Sequence, residues 1–109
     1  MRGIGIDIVE IERFETRLEK PAFLKLVFTD AERKNCASKG RRAECFAARF
    51  AAKEAIVKAT NKKYLFNDII INNHENGAPT TNIPGIKITI SHEKENAIAF
   101  AIWEEDEQQ

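Results

Sequence analysis

The apolar positions of this chain change period along its length, and the changes mark its elements. Gly3 to Val9 alternates, with Ile4, Ile6 and Ile8 on one face and Gly3, Gly5 and Asp7 on the other, which predicts a strand. Its glycines leave the Asp7 face open to close approach by a ligand or another backbone. From Ile11 to about Glu19 the spacing is helical, Pro21 interrupts it, and a short helix follows through Leu26. Thr29 with Glu32 three positions on is a capping-box pattern, opening a helix that fades near Ser38-Lys39-Gly40. The longest helix is expected from about Arg42 to Thr60. Its alanines at 47, 48, 51, 52, 55 and 59 fall on several sides, so it can pack closely against more than one neighbour. Phe46, Phe50 and Val57 form a bulky stripe, and Lys53 projects into it, an odd place for a solvated lysine.

After Tyr64 the pattern becomes strand-like. Asp68 to Asn72 is rich in β-branched residues, and Asn76-Gly77 signals a hairpin. Ile86 to Ile90 alternates cleanly, and Ala97 to Trp103 is apolar on both faces, as a central strand is. Glu93 to Asn96 joins these last two strands as a turn. One strand, a block of helices and an antiparallel meander make the fold class α+β, in a single domain spanning residues 1–109.

Apolar residues are 43% and charged residues 31%, ordinary for a soluble domain, with disorder expected only over residues 104–109. No apolar run has the length of a membrane span, and the start lacks a signal-peptide shape, so a cytoplasmic location is expected. Cys36 and Cys45, nine residues apart, match no common zinc spacing and read as reduced thiols. Net charge is zero, yet residues 1–63 hold 15 Lys and Arg against 9 Asp and Glu, a balance of +6, and residues 64–109 hold 2 against 8, a balance of −6. The N-terminal half is therefore a candidate surface for an anionic partner: an acidic protein, a phosphorylated cofactor or a nucleic acid. The phenylalanines read as core rather than as stacking platforms, which argues against nucleic acid.

Two carboxylates stand in unusual settings. Asp7 lies in an apolar strand, and Glu54 lies in an alanine-rich helix among Arg49, Lys53 and Lys58. Burying either is costly without a cation or hydrogen bonds. Asp7 can cap the following helix, and Glu54 can pair with Lys58 one turn on. Three cations exceed what one carboxylate needs, however, and a diphosphate bridged by Mg²⁺ accounts for the surplus, since Mg²⁺ takes one or two carboxylates, several waters and phosphate oxygens. His92 follows a strand, and Ser91-His92 has no nucleophile motif around it. His74 reads as solvated.

Three blocks in this order carry a resemblance: Gly3-Ile4-Gly5-Ile6-Asp7-Ile8-Val9-Glu10-Ile11-Glu12-Arg13-Phe14, Phe46-Ala47-Ala48-Arg49-Phe50-Ala51-Ala52-Lys53-Glu54-Ala55 with Lys58-Ala59, and Ile88-Thr89-Ile90-Ser91-His92. Together they resemble the holo-acyl-carrier-protein synthase family of 4′-phosphopantetheinyl transferases over nearly the whole chain. The resemblance implies that fold, and transfer of the phosphopantetheine arm of coenzyme A to a serine of apo acyl carrier protein with release of adenosine 3′,5′-bisphosphate, in support of fatty acid biosynthesis. It implies Asp7 and Glu54 as Mg²⁺ ligands, with Lys58 beside them as catalytic groups. It implies Arg49, Lys53, Lys58 and His92 around coenzyme A, Arg13 against the carrier protein, and a homotrimer with active sites between protomers. Arg17, Lys20 and Lys25 extend the basic surface that would steer an acidic carrier protein. One departure is plain: the glycine-rich loop usual in the family after the long helix is replaced by Thr60-Asn61-Lys62-Lys63-Tyr64-Leu65, where Lys62 and Lys63 are expected to supply charge in place of backbone N–H groups. The rival reading is a module that binds coenzyme A or an acidic protein without catalysis.

Overall fold

The computed structural model of the chain describes residues 2–73 and 76–104. Strand β1 (Gly3–Glu10) leads into helix α1 (Ile11–Glu15) and a 3-10 turn over Thr16–Glu19. Helices α2 (Pro21–Val27), α3 (Asp30–Ala37) and α4 (Arg42–Thr60) follow, then a 3-10 turn at Phe66–Asp68. The remaining strands are β2 (Ile71–Asn73), β3 (Pro79–Thr81), β4 (Ile86–His92) and β5 (Asn96–Trp103). Both ends of the chain meet in one antiparallel sheet of order β1-β5-β4, and β2 and β3 form a separate hairpin.

Residue size decides how α4 sits on this sheet. Gly3, Gly5 and Asp7 are opposite Trp103, Ala101 and Ala99, so the inner face is mostly glycine and alanine. Ala51, Ala52 and Ala55 of α4 are buried completely, as are Ala97, Ala99 and Ala101 of β5. A Cβ at Gly3 would stand 1.9 Å from the Ala59 carbonyl oxygen, and one at Gly5 2.1 Å from that of Ala55. Another backbone, that of α4, therefore fills the space the glycines leave. Phenylalanines close the other side of α4: Phe28 meets Phe46 at 4.8 Å between ring centroids, and Phe14 meets Phe50 at 5.1 Å. The aromatic stripe is core, as expected.

Among the described residues no helix covers the outer face of the sheet. Ile4, Ile6 and Ile8 are 55%, 58% and 61% exposed and stand opposite Ile102, Phe100 and Ile98. Six large apolar residues on two strands thus form one open face, far from what an isolated soluble chain usually presents.

Helix ends follow local chemistry. The Thr29 hydroxyl accepts from the Glu32 amide at 3.1 Å while Glu32 Oε1 accepts from the Thr29 amide at 3.0 Å, the expected capping box. Helix α4 ends on Asn61 at φ 55°, the left-handed position that glycine usually fills and asparagine tolerates. The hairpin at Asn76-Gly77 forms, with Gly77 at φ 89° and the Ala78 amide donating to Asn76 Oδ1. His74 and residues 105–109 lie outside the described residues.

Two expectations need correction. The strand expected over Asp68 to Asn72 starts at Ile71, because the Ile70 amide donates to Asn82 Oδ1 and the Asp68 carbonyl accepts from Asn82 Nδ2, so one side chain replaces the ladder there. Cys36 and Cys45 are not free thiols but a disulfide. The short connection between α3 and α4 sets their Cα atoms 5.4 Å apart, within disulfide reach, a proximity that sequence spacing does not reveal.

Candidate active site

Asp7 and Glu54 line the same open cleft, about 400 Å³ in volume, with Phe14 and Phe50 on its floor and Arg13 and Arg17 on its wall. Strand β1 supplies Asp7 from the face packed on α4, and α4 supplies Glu54. The Lys58 ammonium donates to Asp7 Oδ1 and to the Ile6 carbonyl, both at 3.0 Å, tying the two elements together across 51 residues of sequence. Lys58 thus pairs with Asp7 rather than with Glu54 one turn away, and Asp7 does not cap a helix: α1 has no side-chain cap.

Glu54 is half-buried and, among the described residues, joins no side-chain hydrogen bond or close ion pair. Its pKa is raised above the usual carboxylate value, chiefly by burial and next by the charge of Asp7, against the opposing charges of Lys58 and Arg17. Two carboxylates in one cleft with Glu54's charge left undercompensated is an arrangement that a divalent cation relieves. Among the described residues no three His, Cys, Asp or Glu side chains converge. A site of two carboxylates suits Mg²⁺, which keeps water and substrate oxygens for the rest of its shell.

The other predicted residues divide among three places. Arg49 and His92 share a second cavity of about 450 Å³ with Lys39, Arg41, Glu44 and Cys45. Arg49 is buried; its Nη1 donates to Cys45 Sγ at 3.0 Å and its Nε has no hydrogen-bond partner. Burial lowers the Arg49 pKa from its ordinary value, opposed by the charge of Glu32, and a guanidinium so placed stays charged. His92 Nδ1 lies 3.3 Å from Glu44 Oε1, and Arg41 pairs with the other oxygen at 2.9 Å. Glu44 was not foreseen, and no local pattern announces it, since its partner His92 comes from the far end of β4. On α4 Arg49 and Glu54 are five positions apart, roughly 140° around the helix, and the two cavities sit toward opposite edge strands, β1 and β4.

Lys53 joins neither cavity, and its expected place around a cofactor is corrected. It is fully buried, and its ammonium donates to Glu32 Oε1 at 2.6 Å and to the carbonyls of Val27 at 2.7 Å and Phe66 at 2.9 Å. All three donors are used inside the protein. Glu32 Oε2 accepts from the Ile71 amide at 2.9 Å, so one ion pair fastens α2, α3, α4 and β2. Burial lowers the Lys53 pKa, Glu32 raises it, and Arg49 lowers it further. The capping-box pattern pointed to Glu32, but nothing pointed to its second partner.

Of the basic residues expected to face a carrier protein, two line the carboxylate cleft. Arg13 and Arg17 are exposed on its wall, and the Arg17 guanidinium lies over the Phe23 and Phe50 rings at 5.4 and 5.8 Å. Lys20 and Lys25 are exposed at the start and end of α2, and Leu26 beside them is 67% exposed. In the glycine-free segment, Lys62 stacks over the Trp103 ring at 5.0 Å. No helix among the described residues is long and apolar enough to cross a membrane.

Residues 3–107 match the family model of the 4′-phosphopantetheinyl transferase superfamily. A holo-[acyl-carrier-protein] synthase of Halothermothrix orenii is 42% identical, over 96% of this chain and 98% of its own. The Bacillus anthracis holo-(acyl-carrier-protein) synthase, solved in complex with CoA (3′,5′-ADP), superimposes with a TM-score of 0.82 at 36% identity, covering 92% of this chain and 93% of its own. The Helicobacter pylori holo-[acyl-carrier-protein] synthase in complex with coenzyme A gives 0.80 at 30% identity, covering 91% and 97%.

Proposed function

Because the chain belongs to the holo-acyl-carrier-protein synthase family of the 4′-phosphopantetheinyl transferase superfamily and is a transferase, we propose that it moves the phosphopantetheine arm of coenzyme A to a serine of apo acyl carrier protein. The observation that carries this reading is the cleft that Asp7 and Glu54 line together, with Lys58 paired to Asp7 and with Arg13 and Arg17 on its wall.

In the proposed reaction the serine oxygen attacks the phosphorus that bears the pantetheine arm. The bond from that phosphorus to the bridging oxygen breaks, and adenosine 3′,5′-bisphosphate leaves with the electron pair. Negative charge gathers on phosphate oxygens, so positioning and fixed positive charge supply most of the acceleration. Asp7 and Glu54 would hold Mg²⁺, which when bound supplies charge neutralisation and a fixed place for the diphosphate. Lys58 adds a cation that is already oriented by Asp7 and the Ile6 carbonyl. The serine proton leaves to cleft water or to a carboxylate.

Arg49 and His92, in the second cavity, suit the phosphates at the adenosine end. One extended coenzyme A would then be shared between the carboxylate cleft of one protomer and the Arg49 cavity of the next. The open apolar face of the sheet supports association into a closed homotrimer. Arg13, Arg17, Lys20 and Lys25 form the docking surface for an acidic carrier protein, with Leu26 an apolar contact among the charges. The proposed setting is the cytoplasm, in fatty acid biosynthesis.

The deciding test is the mass of apo acyl carrier protein after incubation with the protein, coenzyme A and Mg²⁺, beside a chelator control. A metal-dependent gain of one phosphopantetheine arm is expected. Coenzyme A binding without any gain in mass would leave a binding module instead.

A further inference from the structure

The cavity around Arg49 has a feature that phosphopantetheine transfer does not use: one of its walls is a disulfide. Cys36 closes α3 and is fully buried, while Cys45 opens α4, is half-buried and lines the cavity. The bond encloses residues 37–44, and Lys39, Gly40, Arg41 and Glu44 of that loop line the same cavity. Apart from the disulfide, contacts of the loop include Lys39 N to Cys36 O at 3.1 Å, Cys45 N to Arg41 O at 3.1 Å and Ser38 Oγ to Asn35 O at 2.9 Å, the Arg41–Glu44 pair, and the approach of His92 Nδ1 to Glu44 at 3.3 Å, so Lys39, Gly40 and Arg41 are tied mainly at the loop's ends. Arg49 meanwhile spends one donor on Cys45 Sγ, a weak acceptor while the sulfur is bonded, and keeps a buried Nε without a hydrogen-bond partner.

We propose that the Cys36–Cys45 pair is a redox modification site whose state sets how tightly the Arg49 cavity holds the phosphates of a nucleotide. This rests on the nucleotide reading of that cavity given above. With the bond closed, the loop is fixed to α3 and the Arg49 guanidinium is left to an incoming anion. With the bond open, Cys45 becomes a thiol facing a guanidinium at 3.0 Å, the setting that favours the thiolate. That thiolate competes with phosphate for Arg49, and the loop bearing Lys39 and Arg41 is released from α3. Both changes weaken anion binding.

The chemistry is exchange with a dithiol reductant. A reductant thiolate attacks Cys45 Sγ from the cavity, and Cys36 leaves as the thiolate. The reductant's second thiol then displaces Cys45 and closes the reductant's own disulfide, so two electrons and two protons pass to the protein. A disulfide in a thiol-rich compartment is expected to be of this reversible kind.

The test uses the whole protein, with adenosine 3′,5′-bisphosphate as probe, titrated by calorimetry after equilibration in oxidised and reduced dithiol buffers. Alkylation and mass spectrometry count free thiols in the same samples. The oxidised protein is expected to bind about tenfold more tightly, a coupling of ordinary size. By reciprocity, saturating nucleotide then moves the midpoint of the pair about 30 mV more negative. Cys36→Ser, which removes the bond without touching the cavity wall, should bind like the reduced protein in both buffers. Equal affinity in the two states of the wild type overturns the proposal alone, as does a pair that never closes across the buffer series. Binding in neither state overturns the nucleotide reading of the cavity, and the proposal with it.

Discussion

Lys53 and Glu54 are adjacent in sequence and opposite in function. Lys53 is a structural cation. Truncating it to Met leaves the Glu32 carboxylate buried with backbone amides but without its paired ammonium, a change that costs about 3–5 kcal/mol, so Lys53→Met should lower the urea midpoint sharply at neutral pH. Glu54 carries the opposite burden. A carboxyl whose folded pKa is raised binds its proton more tightly folded than unfolded, so its contribution is full below the ordinary carboxylate range and is lost as pH rises through the folded value. In metal-free protein, Glu54→Gln should therefore raise the melting temperature at pH 7, with the gain vanishing near pH 4, while phosphopantetheine transfer stops. Mg²⁺ should stabilise the wild type and leave Glu54→Gln unmoved; equal stabilisation of both would remove Glu54 from the metal site. Lys58→Ala should lower turnover by about a hundredfold with little loss of stability, since its ammonium is held at the surface. The sequence made Asp7 and Glu54 visible because a carboxylate in an apolar setting is conspicuous by itself. It misassigned Lys53 because a cation in an apolar helix looks the same whether its counter-anion is a ligand or a distant Glu32. The disulfide was hidden for a similar reason: pairing depends on how α3 and α4 meet.

At the scale of elements, the position of the carboxylates depends on how closely β1 lies on α4. Gly5→Ala would drive a methyl group into the Ala55 carbonyl and the Ala59 amide, at 2.1 and 2.7 Å, where backbone has no rotamer to give way. A cost of about 3 kcal/mol or more is expected, read from urea unfolding, together with loss of transfer as Asp7 moves away from Glu54. Gly40→Ala, with nothing within 4 Å of the added carbon, is the matched control and should fall within about 0.5 kcal/mol of wild type. A similar cost at both positions would mean that close packing of β1 is not what places Asp7. The element order, the long helix, the central position of β5 and the Glu93–Asn96 turn were all readable from periodicity, which reports which face of a segment is buried. The short strand β2 was not, because the residues before it bond to the Asn82 side chain from another part of the chain.

For the whole molecule, the two cavities pose the question of which chain completes which site. The alternation of Ile4, Ile6 and Ile8 identified a one-sided strand, and its apolar side proves to be the open one. An isolated chain gains nothing from exposing Ile4, Ile6 and Ile8 beside the half-buried Ile98, Phe100 and Ile102, whereas a closed ring would bury them. If the proposed homotrimer forms through this face, Ile6→Asp should shift sedimentation from trimer to monomer and abolish transfer while the far-ultraviolet dichroism is retained. The sharper test is complementation. Glu54→Gln spoils the carboxylate cleft, and Arg49→Ala spoils the second cavity. If each active site pairs the cleft of one protomer with the Arg49 cavity of its neighbour, neither variant alone transfers phosphopantetheine, but random mixed trimers contain some junctions that combine an intact Glu54 with an intact Arg49. Equal co-expression then restores about a quarter of wild-type turnover, one junction in four being whole. If each site lies within one chain, every chain in the mixture carries a defect and activity stays at the mean of the two variants measured alone. The first result would make the apolar face part of the catalytic apparatus, and the second would confine it to solubility and stability.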